Sequence, residues 1–337
     1  MHPYRLLYLG HYVRNLDWRK LLHFMQYTKK TLGYSYPRQS WLMIANSLRH
    51  NISLLEFYQF GFATLSDKQR SDWAGTGTMY EFQLQANPVE HRDILNDKRE
   101  FYNAYRPFIR HEVHERQALK SDRALVRRLI EQNDRLVFKT ATGQCGNGVL
   151  IRKTEEIDAA LLTEWMEKNG YDLLETYVGQ HPALRALSPT GVNTVRVFTL
   201  ITRDGKYHVL GCRLRISVNC VVDNMAAGNL AAPIDEVTGR VSGSGVYSDI
   251  TRQSEQIHPV TGVPIVGFQI PFWQETLTMV RQASLLHPQN RSIGWDIAIT
   301  PEGPDLIEGN HDWCKLVWQL PIRKGLKHIL IENGKYV

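Results

Sequence analysis

Apolar positions in the first third of the chain recur at helical spacing. Leu16, Leu21, Leu22, Phe24 and Met25 form one set, Trp41, Ile44, Ala45 and Leu48 a second, and Leu54, Leu55 and Tyr58 a third. Helix breakers fall at Gly33 to Pro37 and at Gly75 to Gly77, and strand-like alternation is scarce until Arg135. Ser121 reads as the N-cap of a helix through Ile130, with Asp122 in its first turn. The texture then changes. Two β-rich runs, LVFKTA and GVLIRK, are joined by a glycine-rich connection from Gly143 to Gly148. A helix through Trp165 and a strand in YDLLETYV follow, and then the long strands NTVRVFTLIT and YHVLGCRLRIS. After a glycine-rich stretch from Gly228 to Gly245, Pro271 to Leu286 reads as helical. Two closing strands, GWDIAIT and PDLIEGN, flank the turn Pro301-Glu302-Gly303. The order predicts an α+β protein: a helical region over 1–95, a small α+β lobe over 96–180, and a larger antiparallel lobe over 181–337.

Composition narrows the class without deciding it. The 337 residues are 43% hydrophobic and 22% charged, with no low-complexity tract or evident repeat, as expected of a globular enzyme-sized chain. Forty basic residues against 34 acidic ones give a net charge of +6, which favours anionic ligands. No basic run is interleaved with aromatics as a single-strand nucleic-acid groove requires, so no nucleic-acid partner is expected. No segment has the apolar length to span a bilayer, and the opening lacks the uninterrupted apolar run of a secretory leader. The basic, aromatic-rich opening is expected to pack on the core rather than lie on a membrane surface. Cys145, Cys212, Cys220 and Cys314 form no C-x-x-C pair, which fits a reduced, cytoplasmic protein. Asn51-Ile52-Ser53 is then a chance sequon.

Four segments carry chemistry. Lys139 stands in a strand immediately before the Gly143–Gly148 connection. Glycines let backbone N–H groups converge on phosphate oxygens, and a strand lysine adds a fixed positive charge. Taken alone, the same pattern fits an ordinary hairpin with a flexible tip. It is not a Walker loop, since no G-K-[ST] opens a helix. In the closing hairpin Asp296 can face Glu308 and Asn310, which share one side of their strand. Two carboxylates and an amide among Trp295, Ile297, Ile299, Leu306 and Ile307 are hard ligands suited to Mg2+ bridging nucleotide phosphates, rather than a solvated hairpin. The segment L-L-E-T-Y-V ends a strand in Glu175 and could offer backbone to an adenine edge, although it is also a common edge-strand pattern. Asn96-Asp97-Lys98 opens a helix through Tyr105 that Asp97 can cap, with Lys98 either functional or solvated. His111 and His114 lack the spacing of a zinc helix and are read as a solvated helix face. Cys145 is read as a small filler rather than a nucleophile, for want of a base motif.

In combination these segments resemble the ATP-grasp superfamily, and more narrowly its sugar-transfer-associated branch. L-N-D-K-R-E-F, E-T-Y-V-G-Q-H-P, V-N-T-V-R-V-F-T, V-D-N-M-A-A-G, H-P-V-T-G and G-W-D-I-A-I-T-P-E-G-P-D-L-I-E-G-N carry the resemblance over the final two-thirds of the chain. It implies two lobes gripping ATP. Lys98 and Lys139 would hold the α- and β-phosphates, and the loop containing Gly143, Gly146 and Gly148 would close over them. Glu175 would take the adenine amino side, with Tyr177 and Val178 offering hinge backbone. Asp296, Glu308 and Asn310 would hold one or two Mg2+ ions. Arg196, with Arg213 or Arg215, would neutralise the moving phosphoryl group or a substrate carboxylate. The implied activity is a carboxylate–amine ligase forming an amide through an acylphosphate, on a sugar acid or cell-surface glycan precursor (a small-molecule carboxylate such as a uronic acid or sugar nucleotide) with an amino acid or other amine. A phosphotransferase acting on a hydroxyl and a non-catalytic nucleotide-binding protein are the alternatives. Two positions depart from the family pattern. Gln180-His181-Pro182 replaces a ribose-binding carboxylate, and Gly294 stands where an arginine usually precedes the first metal acid.

Overall fold

The computed structural model describes residues 4–143, 148–219 and 223–334. The helical start comprises α1 (Tyr4–Arg14), α2 (Trp18–Leu32), α3 (Tyr36–His50), α4 (Leu54–Gln59), α5 (Asp67–Ser71) and α6 (Thr76–Ala86). The breakers act where the sequence places them. Gly33 ends α2 in the left-handed conformation at φ +70°, and Gly75 is the N-cap of α6. Next come α7 (Asp93–Asn96) and α8 (Lys98–Tyr105), the latter capped by Asp97, whose carboxylate accepts from the Arg99 amide at 2.8 Å.

The small lobe then forms from β1 (Val113–Glu115), α9 (Arg116–Ser121), α10 (Arg123–Gln132), β2 (Arg135–Lys139), β3 (Val149–Lys153), α11 (Leu162–Lys168) and β4 (Leu173–Thr176). Its antiparallel sheet has the order β1-β4-β2-β3. Two expectations are corrected here. Ser121 ends α9, and Asp122 is the cap of the next helix, accepting from the Leu125 amide. The His111–His114 segment leads into strand β1 instead of lying on a helix face, because its backbone pairs with β4. That pairing draws His111 into the interior.

After α12 (Pro182–Leu187), the large lobe runs through β5 (Thr194–Ile201), β6 (Tyr207–Ile216), β7 (Leu230–Ile234), α13 (Trp273–Leu286), β8 (Gly294–Thr300) and β9 (Gly303–Asn310). It ends in α14 (Lys315–Gln319) and α15 (Lys327–Gly334). The antiparallel sheet order is β7-β6-β5-β8-β9. Strand β7 lies inside the stretch from Gly228 to Gly245, where glycine content conceals the run LAAPI. One face of this sheet packs Val195, Val197 and Trp295 with α13 residues such as Val280 and Ala283. Its opposite face carries Phe198 and Leu200, which join Phe24, Phe57 and Phe62 of the helical region with Trp313 and Trp318 in one core. Arg196 shares this second face with Phe198 and Leu200, since side chains alternate along a strand. The N-terminal helices therefore cover the same sheet face that bears the charged residues.

Helix α3 reverses the usual amphipathic arrangement. Its apolar residues Trp41 and Ile44 are 69% and 43% exposed, while Gln39, Asn46, Ser47 and His50 are buried beside Met43. An apolar stripe normally faces the core. Here the inward polar groups find backbone partners instead. The Gln39 amide donates to the carbonyls of Met25 and Tyr34 at 3.1 and 2.8 Å, and the Ser47 hydroxyl donates to Ile52 O at 2.6 Å. Satisfied in this way, Gln39 and Ser47 carry little burial penalty, whereas His50 Nε2 is buried without a partner.

Candidate active site

Sheet register assembles a row of charged side chains. Glu308 on β9 pairs with Asp296 on β8, Asp296 with Arg196 on β5, and Arg196 with Arg213 on β6. Arg196 Nη2 donates to Asp296 Oδ2 at 2.6 Å. Arg215 Nη1 reaches the same oxygen at 2.7 Å, and its Nη2 lies 2.7 Å from Asp223 Oδ1. Asp223 is itself held by the Thr194 amide and hydroxyl. Burial opposes ionisation of Asp296, but the two guanidiniums overcome it and hold the carboxyl well below its usual range. Glu308 has the opposite environment: burial and the facing Asp296 carboxylate push its pKa up. Asn310 Nδ2 donates to Glu308 Oε1 at 3.1 Å. Arg213 is not brought to this group. Its guanidinium donates to the backbone carbonyls of Trp318 and Cys212, and it is buried against α14.

Gly294 has a steric reason to lack a side chain. A Cβ there would lie 2.6 Å from Trp313 Cβ and 3.4 Å from Arg196 Cδ. Arg196 thus fills the space beside Gly294 and reaches Asp296 from the neighbouring strand.

A second cluster spans the small lobe. Lys139 Nζ lies 2.6 Å from Glu175 Oε2, and the Tyr102 hydroxyl donates to Glu175 Oε1 at 2.5 Å. His111 Nδ1 is 2.8 Å from Asp305 Oδ2, and its Nε2 is 3.5 Å from Glu175 Oε2. Burial raises the Glu175 pKa, but Lys139 and His111 more than compensate and lower it to about 2. Burial likewise opposes a charged His111. Asp305 and Glu175 outweigh it and raise the imidazole to about 9, above its ordinary 6.5. The raised value makes this link a source of stability that is complete below about pH 6.5 and lost as pH rises through about 9. A shift of this size corresponds to about 3 kcal/mol. The apo protein's melting temperature is therefore expected to fall between about pH 7 and about pH 10, whereas His111→Asn should be nearly flat over that range. Parallel profiles for the two proteins would remove His111 from the link.

These clusters border a cavity of about 470 Å3 between the two sheets. Val137, Val149 and Ile151 supply an aliphatic wall, and Tyr177 and Val178 line the connection after β4. Lys98, Lys139, Gly143, Glu175, Arg215, Asp296 and Glu308 also face it. Lys98 Nζ donates to the Gly143 carbonyl, and the Lys98 amide donates to Ala141 O at 2.9 Å. Gly148 closes the hairpin instead of facing the cavity: at φ +77°, an added Cβ would sit 2.3 Å from Thr140 Oγ1. Gly146 and Cys145 lie outside the described residues. Gln180 and His181 are occupied locally. Gln180 bonds the Ser188 and Gly191 carbonyls and both the Asn193 amide and side chain, and His181 caps α12.

A second cavity of about 230 Å3 adjoins the first, sharing Arg215, Asn224 and Glu308 with it. Arg196 and Asn310 face this one, as do Lys20 from α2 and Gln59 at the end of α4. Sequence reasoning missed Tyr102, His111, Asp223, Asp305, Lys20 and Gln59. Of these Asp223 and Asp305 carried a signal, within V-D-N-M-A-A-G and P-E-G-P-D-L-I-E-G-N.

The geometry is that of two lobes, each with an antiparallel sheet, facing each other across the larger cavity. The chain belongs to the sugar-transfer associated ATP-grasp family, whose family model matches residues 78–334. No curated protein matches it. Among solved structures, it resembles biotin carboxylase from Campylobacter jejuni in a β,γ-ATP complex, at 10% identity and TM-score 0.48 over 86% of this chain and 59% of that one. L-amino acid ligase from Bacillus licheniformis follows at 12% identity and TM-score 0.43, covering 73% and 49% of the two chains. D-alanyl-alanine synthetase A from Vibrio cholerae stands at 14% identity and TM-score 0.39, covering 72% and 61%. The chain spans about half to three-fifths of the length of these proteins. At such distances the likeness concerns fold and not activity.

The donor set suits a divalent cation held jointly with nucleotide phosphates. Among the described residues no group of three or more His, Cys, Asp or Glu side chains forms a cage. Glu308 Oε2 and Asn310 Oδ1 are hard oxygens beside Asp296, and the half-buried Glu308 carboxylate, facing a second carboxylate, suits added positive charge. No helix among the described residues is long and apolar enough to cross a membrane.

Proposed function

We propose that this chain is an ATP-dependent carboxylate–amine ligase, with a nucleotide in the larger cavity and an anionic acceptor in the smaller. The observation that carries the reading is the junction of the two cavities at Arg215, Asn224 and Glu308. The aliphatic wall of the larger cavity suits an adenine ring, and Lys98 and Lys139 suit phosphates. Mg2+ would be held by Glu308, Asn310 and Asp296, and would neutralise phosphate charge. The smaller cavity offers the cations Arg196, Arg215 and Lys20 with the amides of Gln59, Asn224 and Asn310. Such a pocket favours a substrate that arrives as a carboxylate with a hydroxylated body, such as a uronic acid. A hydroxyl acceptor would instead need a base to remove its proton.

In the proposed reaction a carboxylate oxygen attacks the γ-phosphorus and ADP leaves. The amine nitrogen then attacks the acyl carbon, phosphate departs, and the nitrogen loses its proton. Arg196 and Arg215, fixed in place by Asp296 and Asp223, are positioned to stabilise charge on the transferring group without reorganising. Closure over the cavities would keep water from the acylphosphate. We divide the chain into a helical region (1–95), a small lobe (96–180) and a large lobe (181–337), and place the reaction in the cytoplasm, where ATP is supplied.

The reading is tested by replacing the amine with hydroxylamine. With a panel of free and nucleotide-linked uronic acids, the expected product is a hydroxamate, formed in step with ADP and phosphate. ADP accompanied by a stable phosphate ester and no hydroxamate would establish a phosphotransferase on the same fold.

A further inference from the structure

We propose that the outer surface of α2 and α3 docks this protein on an anionic membrane surface. Three observations meet there. The first is the reversed burial of α3, which turns Trp41 and Ile44 to solvent while Gln39 and Ser47 are hydrogen-bonded inside. Trp18 and Leu22 of α2, four residues apart on one helix face, are 56% and 55% exposed. Four large apolar side chains exposed on two helices packed against each other mark an interaction surface.

The second observation is charge. The first fifty residues hold eight lysines and arginines against a single acid, Asp17, whereas the whole chain is only +6. The rest of the chain thus carries slightly more acid than base. Lys20 faces the smaller cavity and Arg49 pairs with Asp67, and Arg19, Lys29, Lys30 and Arg38 are exposed on α2 and α3. Third, the cations are interleaved with the rings. Lys29 Nζ lies 4.7 Å from the centre of the Tyr36 ring, and the Arg38 guanidinium lies 3.8 Å from that of Tyr34. Arg38 and Trp41 are three apart on α3, and Lys29 is seven beyond Leu22 on α2, so base and apolar residue share a face on both helices.

Aromatic and aliphatic side chains flanked by Lys and Arg match the boundary between acyl chains and anionic headgroups. A second copy of the chain would set this positive surface against itself, which the like charges disfavour. The helix also relates the surface to the cavities. Lys20, which faces the smaller cavity, is two residues from Trp18 and so projects from the far side of α2. Docking through Trp18, Leu22, Trp41 and Ile44 would hold that cavity one helix diameter from the lipid.

The experiment is co-sedimentation of the full chain with vesicles of phosphatidylcholine alone or mixed with phosphatidylglycerol in roughly a three-to-one ratio. Binding is expected only with the anionic lipid and should weaken as salt rises. Trp41→Glu should reduce partitioning by at least about tenfold, and Lys29→Glu with Lys30→Glu by at least about tenfold, at roughly fivefold per basic residue removed. All of these side chains are exposed, and unchanged melting of each variant establishes folding. Failure to bind anionic vesicles overturns the proposal, as does equal binding by the folded variants. Self-association in sedimentation velocity that Trp41→Glu abolishes, with no vesicle binding, would assign the surface to a dimer instead.

Discussion

Glu308→Gln is expected nearly to abolish turnover while leaving the apo protein as stable as the wild type, or slightly more stable. The Glu308 and Asp296 carboxylates face each other in register across β8 and β9, Asp296 buried and Glu308 half-buried. Neutralising Glu308 removes a like-charge contact, and the glutamine keeps the size and the carbonyl oxygen that accepts from Asn310. The gain in the apo protein has a matching loss in function. An anionic ligand disappears from the side of the site where phosphate charge must be balanced. The turnover loss should reach two to three orders of magnitude, roughly that of removing one preorganised electrostatic group. The measurement pairs calorimetric melting without ligand with ADP formation under saturating substrates. A variant that melts normally and turns over normally would exclude Glu308 from the chemistry. One that unfolds would show the two carboxylates to be structural partners.

Local signals made part of this site legible in the sequence. The Asp97-Lys98 step is a helix cap read from neighbouring residues, and the hairpin from Gly294 to Asn310 is set by strand alternation and a tight turn at Pro301-Glu302. What was illegible depends on long-range pairing. His111 becomes a buried link only because β1 pairs with β4 and brings it against Asp305, 194 residues later. Tyr102 looks like one more apolar residue of α8 until the fold places it over Glu175, 73 positions away. The same limit explains Arg213 and Arg215, which the sequence could not separate. They alternate onto the same face, yet one meets the Trp318 carbonyl and the other two aspartates. Helix α3 misled in a different way. Its periodicity is real, but the partners that make Gln39 and Ser47 comfortable inside are backbone carbonyls, which leave no trace in a hydrophobic pattern.

Lys139→Ala is expected to lower both nucleotide affinity and apo stability, and the second effect departs from what a phosphate-facing lysine implies. In the sequence Lys139 looks like a charge whose only task is to meet an anion, so its loss should spare the empty protein. In the fold it is paired at 2.6 Å with Glu175, a carboxylate that is 3% exposed. Removing the lysine leaves that buried charge with the Tyr102 hydroxyl and a His111 nitrogen 3.5 Å away. Breaking a buried pair from one side costs about 3–5 kcal/mol, far more than the pair contributes as a unit. The double change Lys139→Ala with Glu175→Gln removes the stranded charge and should recover most of that stability. Affinity for ADP should not recover, because the phosphate-facing charge is still missing; a charge-assisted hydrogen bond of about 2–3 kcal/mol predicts a loss of roughly 30- to 150-fold. Calorimetric unfolding of the apo proteins and titration calorimetry with ADP read the two effects separately. If the double variant regained ADP affinity along with stability, Lys139 would act only by holding Glu175, and the phosphate contact would belong to Lys98 alone.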